Sequence, residues 1–452
     1  MLKKILVLSA IATASVGSIQ AQTLEERVEA LEYAGYENWW SFSGSLEYRF
    51  DAAKTEYKKG YSYRSFDAPT TTKTIAAGTK DEVKHHRIFS EIDITATPTK
   101  KLSFFGRLAM SKYMNTLNKG GGNYTGDGAF NELGEGQGTD NSRIYLERAF
   151  VNYSFTDNLT FTVGRLPTID GAPKHFQESR PMMGQYPLLV FGGVFDGMAL
   201  TYANSYNGNA FKFRGIYTPF NQRNISESSK RLKDGSGNEV DETADVYSLM
   251  AEYERTNMSW ARRIHVIYQY LSFTGLDAFN STTATGNAQL DVKRHVLNLE
   301  INGIANTGLS FGFSFLKGNL QGKGQFTGLG TWYGGTTGDT DLDGDAWILN
   351  LNYEMPFKVL RKAVLGFEYL DSDEDAFLYD TTAKNVVGFY TPRGGNSMHV
   401  FWLQPIDQNF KFRVGWQKSV TKRTNFLGAY LGAPTDIETE RSAIYSSLQF
   451  NF

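Results

Sequence analysis

Apolar side chains recur at every second position over long parts of this chain. In "WWSFSGSLEYRF", Trp40, Phe42, Leu46, Tyr48 and Phe50 fall on one side, and Ser41, Ser43, Ser45, Glu47 and Arg49 on the other. "FKFRVGWQK" sets Phe410, Phe412, Val414 and Trp416 against Lys411, Arg413, Gly415 and Gln417. In "RIHVIYQY", Arg263, His265 and Gln269 oppose Ile264, Val266, Tyr268 and Tyr270. "RIFSEIDI" and "AWILNLNYE" follow suit, with Glu91, Asp93, Asn350, Asn352 and Glu354 on their polar sides. A period of two is the mark of extended strands. The pattern runs to the last residues, "IYSSLQFNF", although a chain end is usually loose unless it is docked. The terminus therefore reads as the final strand of a sheet.

Alternation alone fits both a soluble sandwich and a membrane barrel, because each hides one face. The connections separate them. Short turns near "TPTKK", "SFTDN", "NSYNGN", "ERTNMSW", "GIANTG", "MPFKVLRK" and "QPIDQN" alternate with long segments near 52–82, 114–140, 166–193, 220–244, 274–290, 319–344, 372–396 and 421–438. Long loops at one end of every hairpin and tight turns at the other belong to outer-membrane barrels. The expectation is an all-β transmembrane antiparallel barrel of about sixteen strands, an even number, each long enough to cross a bilayer.

Composition agrees. The chain has 32 Phe, 25 Tyr and 45 Gly against 11 Pro, which suits a large sheet with aromatic girdles. Mean hydropathy is −0.38, and after the N-terminus no apolar run is long enough for a spanning helix. With no Cys, disulfides, thiolate metal sites and Cys nucleophiles are excluded. Formal charge is −2, from 46 basic and 48 acidic residues, which leaves no nucleic-acid footprint.

"MLKKILVLSAIATASVGSIQAQ" reads as a secretory signal, with Lys3 and Lys4 before an apolar run and small residues after it. Cleavage after Ala21 would move the charge to −4, with 44 basic against 48 acidic residues. Next, "TLEERVEALE" places Leu24, Val28 and Leu31 on one helical seam. It is either an amphipathic turn lying on the main domain or a short coiled coil joining subunits. The expected organisation is a signal peptide over 1–21, a short periplasmic helix over 22–37 and the barrel over 38–452.

With this signal, the short helix, the strands and the terminal Phe452, the chain resembles a Gram-negative outer-membrane porin. "LEERVEALE" followed by "FSGSLEYRF", and "VGRLPTIDGAP" opening the third long loop, are similar to an uncharacterised porin-like family with a short periplasmic coiled-coil segment before its barrel. That resemblance implies passive diffusion, outer-membrane lipid and lipopolysaccharide around the wall, and a possible homotrimer. It also implies a C-terminal Phe452 that presents an assembly signal to the barrel insertion machinery. The resemblance departs from the energy-coupled receptor pattern with its N-terminal plug, and such a receptor is not expected.

In a water-filled barrel the inward side chains set selectivity. Parity places Arg49, Arg87, Glu91, Asp93, Arg107, Lys212, Arg214, Glu252, Arg263, Arg294, Glu300, Glu354, Lys411 and Arg413 on the pore side, with Glu47 and Glu368. An outward Arg or Lys at mid-membrane would cost about 2–4 kcal/mol. Position at the rim, or mutual pairing, explains any one of them equally well. Both signs occur, so small hydrophilic solutes follow but no ion preference.

The third long loop holds Pro167, Pro173, Pro181 and Pro187, and an apolar "PLLVF" unsuited to open water. It resembles the loop that folds into general porins and narrows them; Asp170, Lys174, His175, Glu178 and Arg180 would then line the constriction. A lid over the mouth or a subunit contact is the alternative.

Weaker patterns carry less. Asp339, Asp341 and Asp343 begin like a calcium loop, but the twelfth position is Asn350 rather than a bidentate Glu. His85-His86 opens a strand and fits a rim better than a metal site. No HExxH occurs and no triad spacing stands out, so neither an enzyme nor a cofactor is expected. The competing reading is a plugged or non-conducting barrel that serves as an adhesin or as scaffold for an electron-transfer partner.

Overall fold

The computed structural model describes residues 39–65, 68–113, 144–166, 189–190, 195–221, 244–277, 288–324, 341–358, 360–376, 378, 392–423 and 436–452. The segments expected to be the signal and the short helix lie outside these residues. In chain order the strands are β1 (Trp40–Tyr57), β2 (Tyr61–Ser65), β3 (Ala68–Ile75), β4 (Lys80–Thr99), β5 (Leu102–Tyr113), β6 (Ile144–Ser154), β7 (Leu159–Leu166), β8 (Phe195–Tyr206) and β9 (Asn209–Asn221). They continue with β10 (Ala244–Thr256), β11 (Arg263–Asp277), β12 (Ala288–Asn302), β13 (Leu309–Gly324), β14 (Asp341–Lys358), β15 (Lys362–Ser372), β16 (Gly395–Pro405), β17 (Phe410–Arg423) and β18 (Asp436–Asn451). β2 and β3 form a separate hairpin; the other sixteen close into one antiparallel barrel.

Closure is made by the chain ends. β1 pairs with β18 from Ser45↔Asn451 to Tyr57↔Thr439. Beyond that register Gly44 N donates to Phe452 O at 2.9 Å and Phe452 N donates to Gly44 O at 3.0 Å. The ring of Phe452 lies over Gly44, where a Cβ would sit 2.6 Å from its Cζ. Hydrocarbon supplies no partner for a bare strand edge, so the last residue has to be bonded.

The tight turns share one end with the termini, the periplasmic end in such a barrel. Between β8 and β9, Asn207 and Gly208 have φ of 49° and 75°, the two left-handed positions of a hairpin turn that follows strand twist. Thr99 Oγ1 accepts from Leu102 N at 3.0 Å and Asp407 Oδ1 from Phe410 N at 2.8 Å, closing two others.

The outer wall carries the apolar stripe. Trp40, Phe42 and Leu46 of β1 are exposed, as are Ile444 of β18 and Leu249 of β10. Above Phe50 the outward residues of β1 turn polar: Lys54 faces Glu82 at 4.0 Å and Glu56 faces Lys58 at 2.8 Å. On the neighbouring wall Lys418 reaches Glu440 at 2.9 Å, just past Trp416 and Ile444. An apolar band of about eleven residues followed by ion pairs matches a bilayer core and its watery rim.

Two expectations change. The first long segment is not a loop throughout: β1 continues to Tyr57, paired on both sides, and 61–75 is a hairpin. Likewise β11 reaches Asp277 and β13 reaches Gly324, so the segments near 274–290 and 319–344 are shorter than the weak period suggests. Above the membrane both faces of a strand meet water, and the apolar alternation that announces a strand fades there. In "RIYLERAFVNY" the phase slip is a β-bulge: the register shifts between Arg107 and Leu108, and Glu147 and Arg148 both turn inward.

The inner wall is not uniformly polar. Ile267, Leu271 and Phe273 of β11, Val292 and Val296 of β12, and Leu316 and Leu320 of β13 are buried inside the barrel.

Candidate functional site

The inward charges gather into clusters fixed by register. On one side, Arg107 of β5 sits opposite Asp93 of β4. It grips that carboxylate through Nε at 2.5 Å and Nη2 at 2.8 Å, and its Nη1 reaches Glu91 and Glu147 at 3.4 Å each. Ser45 Oγ donates to Glu91 at 3.2 Å. Arg87 lies 3.8 Å from Glu47, and Arg148 lies 3.8 Å from Glu147. The bulge matters here, because two successive inward residues place Glu147 and Arg148 in the same cluster.

A second cluster belongs to β14–β18 and β1. Arg49 makes a forked pair with Asp51, 2.6–2.9 Å, and both side chains are fully buried. Its guanidinium lies 4.0 Å over the Tyr445 ring and donates to Gln417 Oε1 at 3.3 Å. His399 links Tyr445 Oη and Glu368, each at 2.8 Å, while Asn350 donates to Glu368 at 3.2 Å. Arg413, also buried, lies 5.6 Å over the Phe401 ring. Buried charges persist where such partners replace water.

The third cluster centres on Glu252 of β10, which meets Lys212 at 3.5 Å, Arg214 at 3.6 Å and His265 at 3.6 Å. Arg214 also donates to Thr201 Oγ1 at 3.0 Å. Arg263 pairs with Glu254 toward the short-turn end, where Glu354 accepts from Lys362 at 2.7 Å. Glu300 is buried on the inner face of β12.

Arg294 is different. On β12 and its neighbours it is surrounded by apolar side chains: Val292, Val296, Leu316 and, directly opposite, Leu271. Its Nη1 donates to the carbonyls of Leu189 at 2.9 Å and Val190 at 2.6 Å. These two residues lie within the "PLLVF" run of the third long loop, and both are buried, Leu189 completely. Part of that loop thus lies inside the wall, where an apolar patch and a guanidinium receive its side chains and its carbonyls. Asp170, Lys174, His175, Glu178 and Arg180 lie outside the described residues.

Among the described residues, two open spaces stand out within the barrel. One, of about 500 Å³, is bounded by β5–β11 and by Val190, with Ser103, Thr162, Thr201, Ser248, Lys212 and Arg214 on its walls. The other, of about 620 Å³, sits at the short-turn end among Arg262, Arg263, Glu354, Arg361, Lys362 and Lys411.

The weak metal candidates find another partner: Asn319 Nδ2 donates to Asp341 at 2.6 Å and to Asp343 at 2.9 Å across the β13–β14 pair. Asp339 is outside the described residues, and among those described no group of three or more metal-binding side chains occurs. His86 is on the outer wall, its Nδ1 at 2.5 Å from Tyr48 Oη, with its ring against Phe50.

Asp51, Glu254, His399 and Tyr445 were not singled out as site residues by periodicity. Asp51 extends the polar parity of β1 beyond Phe50 and was accessible to that rule. His399 and Tyr445 needed the register of β16 against β17 and β18.

Closure, the lipid-facing stripe and the enclosed charges together make this a β-barrel of the outer membrane. No curated protein matches the sequence. Among solved structures, OprB of Pseudomonas putida is similar at 10% identity, covering 94% of this chain and 97% of that one, with a TM-score of 0.49. OmpF of Salmonella typhi, solved with daunomycin, shares 12% identity over 90% and 97% of the two chains, with a TM-score of 0.45. OmpT of Vibrio cholerae, an outer-membrane protein in a trimer form, shares 10% over 91% and 99%, with a TM-score of 0.46. The family described as a protein of unknown function, DUF3373, matches residues 81–449, from the start of β4 into β18, and the chain belongs to that family.

Proposed function

We propose that this barrel is a passive diffusion channel for small hydrophilic solutes, narrowed from within by its third long loop. The observation that carries the reading is the open space of about 500 Å³ inside the wall, bounded on one side by Val190 of that loop and lined by apolar side chains such as Phe150, Phe195 and Val246 together with hydroxyls, Lys212 and Arg214. Hydroxyls and partly exposed cations replace part of a solute's hydration without holding it tightly, as conduction requires. The remaining third-loop residues, Asp170, Lys174, His175, Glu178 and Arg180, would line the narrowing, and Phe452 would act as the assembly signal during insertion. Purified protein in planar bilayers is expected to give stepwise current increments; silent insertion would remove the channel.

A plugged barrel is the second reading, favoured by one observation: Ser314, Asn350, Glu368, His399 and Gln417 on the inner faces of β13–β17 are buried completely. The same recordings separate the two.

A homotrimer goes with the channel reading. Its support is a shallow apolar groove of about 470 Å³ in the outer wall, where Met198, Leu200, Tyr217 and Leu249 surround Gly215. Native mass spectrometry of detergent-extracted protein should give three copies, and a monomer under mild extraction would discard this assembly.

A further inference from the structure

Carboxylates and cations on the inner wall differ in how much of them reaches open space. Glu47, Asp51, Glu147, Glu252, Glu300 and Glu368 are all at most 7% exposed. Arg49, Arg87 and Arg148 are buried with Asp51, Glu47 and Glu147 and offset their charge, so these three pairs contribute little net field. Lys212 and Arg214, the partners of buried Glu252, themselves reach open space. In the cavity between β5 and β11, the side chains of Lys212 and Arg214 are 46% and 31% exposed, and no carboxylate is among the lining residues. In the cavity at the short-turn end, two of the five cations are already paired, Lys362 with Glu354 and Arg263 with Glu254, and Asp407 is the other carboxylate on the wall.

Both spaces therefore present a positive surface although the inner wall as a whole carries both signs. A permeating ion responds to the charges it meets in water, while a buried pair cancels within itself. Guanidinium groups also present forked donors that match the paired oxygens of carboxylate and phosphate.

We propose that the channel prefers anions, and that the basic vestibule at the periplasmic mouth, with Arg262, Arg361 and Lys411 foremost, holds small oxyanionic solutes. The proposal rests on the channel reading above. A solute leaving the narrow part of the barrel meets this vestibule last before the periplasm, so cations there raise the local concentration of anions at the exit.

Reversal potentials of the full-length protein in planar bilayers under a potassium chloride gradient test it. The wild type should show a chloride-to-potassium permeability ratio above one. Replacing Arg262→Gln, Arg361→Gln and Lys411→Gln together should lower that ratio by at least about twofold, while Arg262→Lys with Arg361→Lys should retain it. Inorganic phosphate added to one chamber should reduce chloride current through wild-type channels more than the same addition to the other chamber. That measurement also serves if the triple variant does not insert. A conducting wild type with a ratio at or below one overturns the anion preference and leaves the channel intact. A ratio above one that the triple variant leaves unchanged, or phosphate inhibition equal from both chambers, overturns the vestibule assignment. Absence of any conductance instead removes the channel itself.

Discussion

Replacing Asp51 by alanine is expected to lower the stability of the refolded barrel by about 3–5 kcal/mol, the usual cost of stranding one partner of a buried ion pair. Arg49 is held by Asp51 through bonds of 2.6–2.9 Å, and neither side chain is accessible. The guanidinium is also fixed against Tyr445 and Gln417, so it has no short route to water once the carboxylate is gone. Its charge would remain inside the wall with half of its partners removed. Urea unfolding of protein refolded into detergent micelles reads the loss directly. The double replacement Arg49→Met with Asp51→Leu should recover much of it, because removing both charges leaves nothing unpaired. A single variant within about 1 kcal/mol of wild type would show that water or another carboxylate compensates.

Arg294→Met is expected to change conduction rather than folding. The methionine keeps the packing of the stem among Val292, Val296, Leu316 and Leu271 but cannot donate to Leu189 O and Val190 O. A hydrogen bond from a charged donor contributes about 1.5–3 kcal/mol. Its loss shifts the local equilibrium of the 189–190 segment by roughly ten- to a hundredfold toward detached states. Single-channel records should then show larger or more variable open currents at unchanged stability. Traces identical to wild type would mean that the apolar contacts of Leu189 alone hold the segment, or that it does not narrow the path.

How much was legible in the sequence is clearest on β1. From Trp40 to Phe50 the alternation assigns every side chain to its observed face, because one face meets lipid and the other the interior. Past Phe50 both faces become polar, and the stretch from 52 onward reads as loop although β1 runs on to Tyr57. β11 shows a different limit. Arg263, His265 and Gln269 announce an interior face, yet Ile267, Leu271 and Phe273 occupy the same face. An interior that receives an apolar loop segment calls for apolar positions, and period two then loses its contrast. The slip at Glu147 and Arg148 was visible as a phase error. Its consequence, a second carboxylate within reach of Arg107, needed the pairing of β5 with β6.

What the sequence by itself determined is the wall: strands of period two, tight turns alternating with long connections, and a terminal strand apolar to Phe452. Those follow from local rules, since which face a side chain takes depends only on its parity and on the medium at that face. The tertiary structure alone decided the partners. Arg107 reaches Asp93, Glu91 and Glu147 on two flanking strands, His399 bridges residues of β15 and β18, and Arg294 binds carbonyls more than a hundred positions away in the chain. Such choices are set by the stagger of strands around a closed barrel, and a periodic pattern carries no record of stagger.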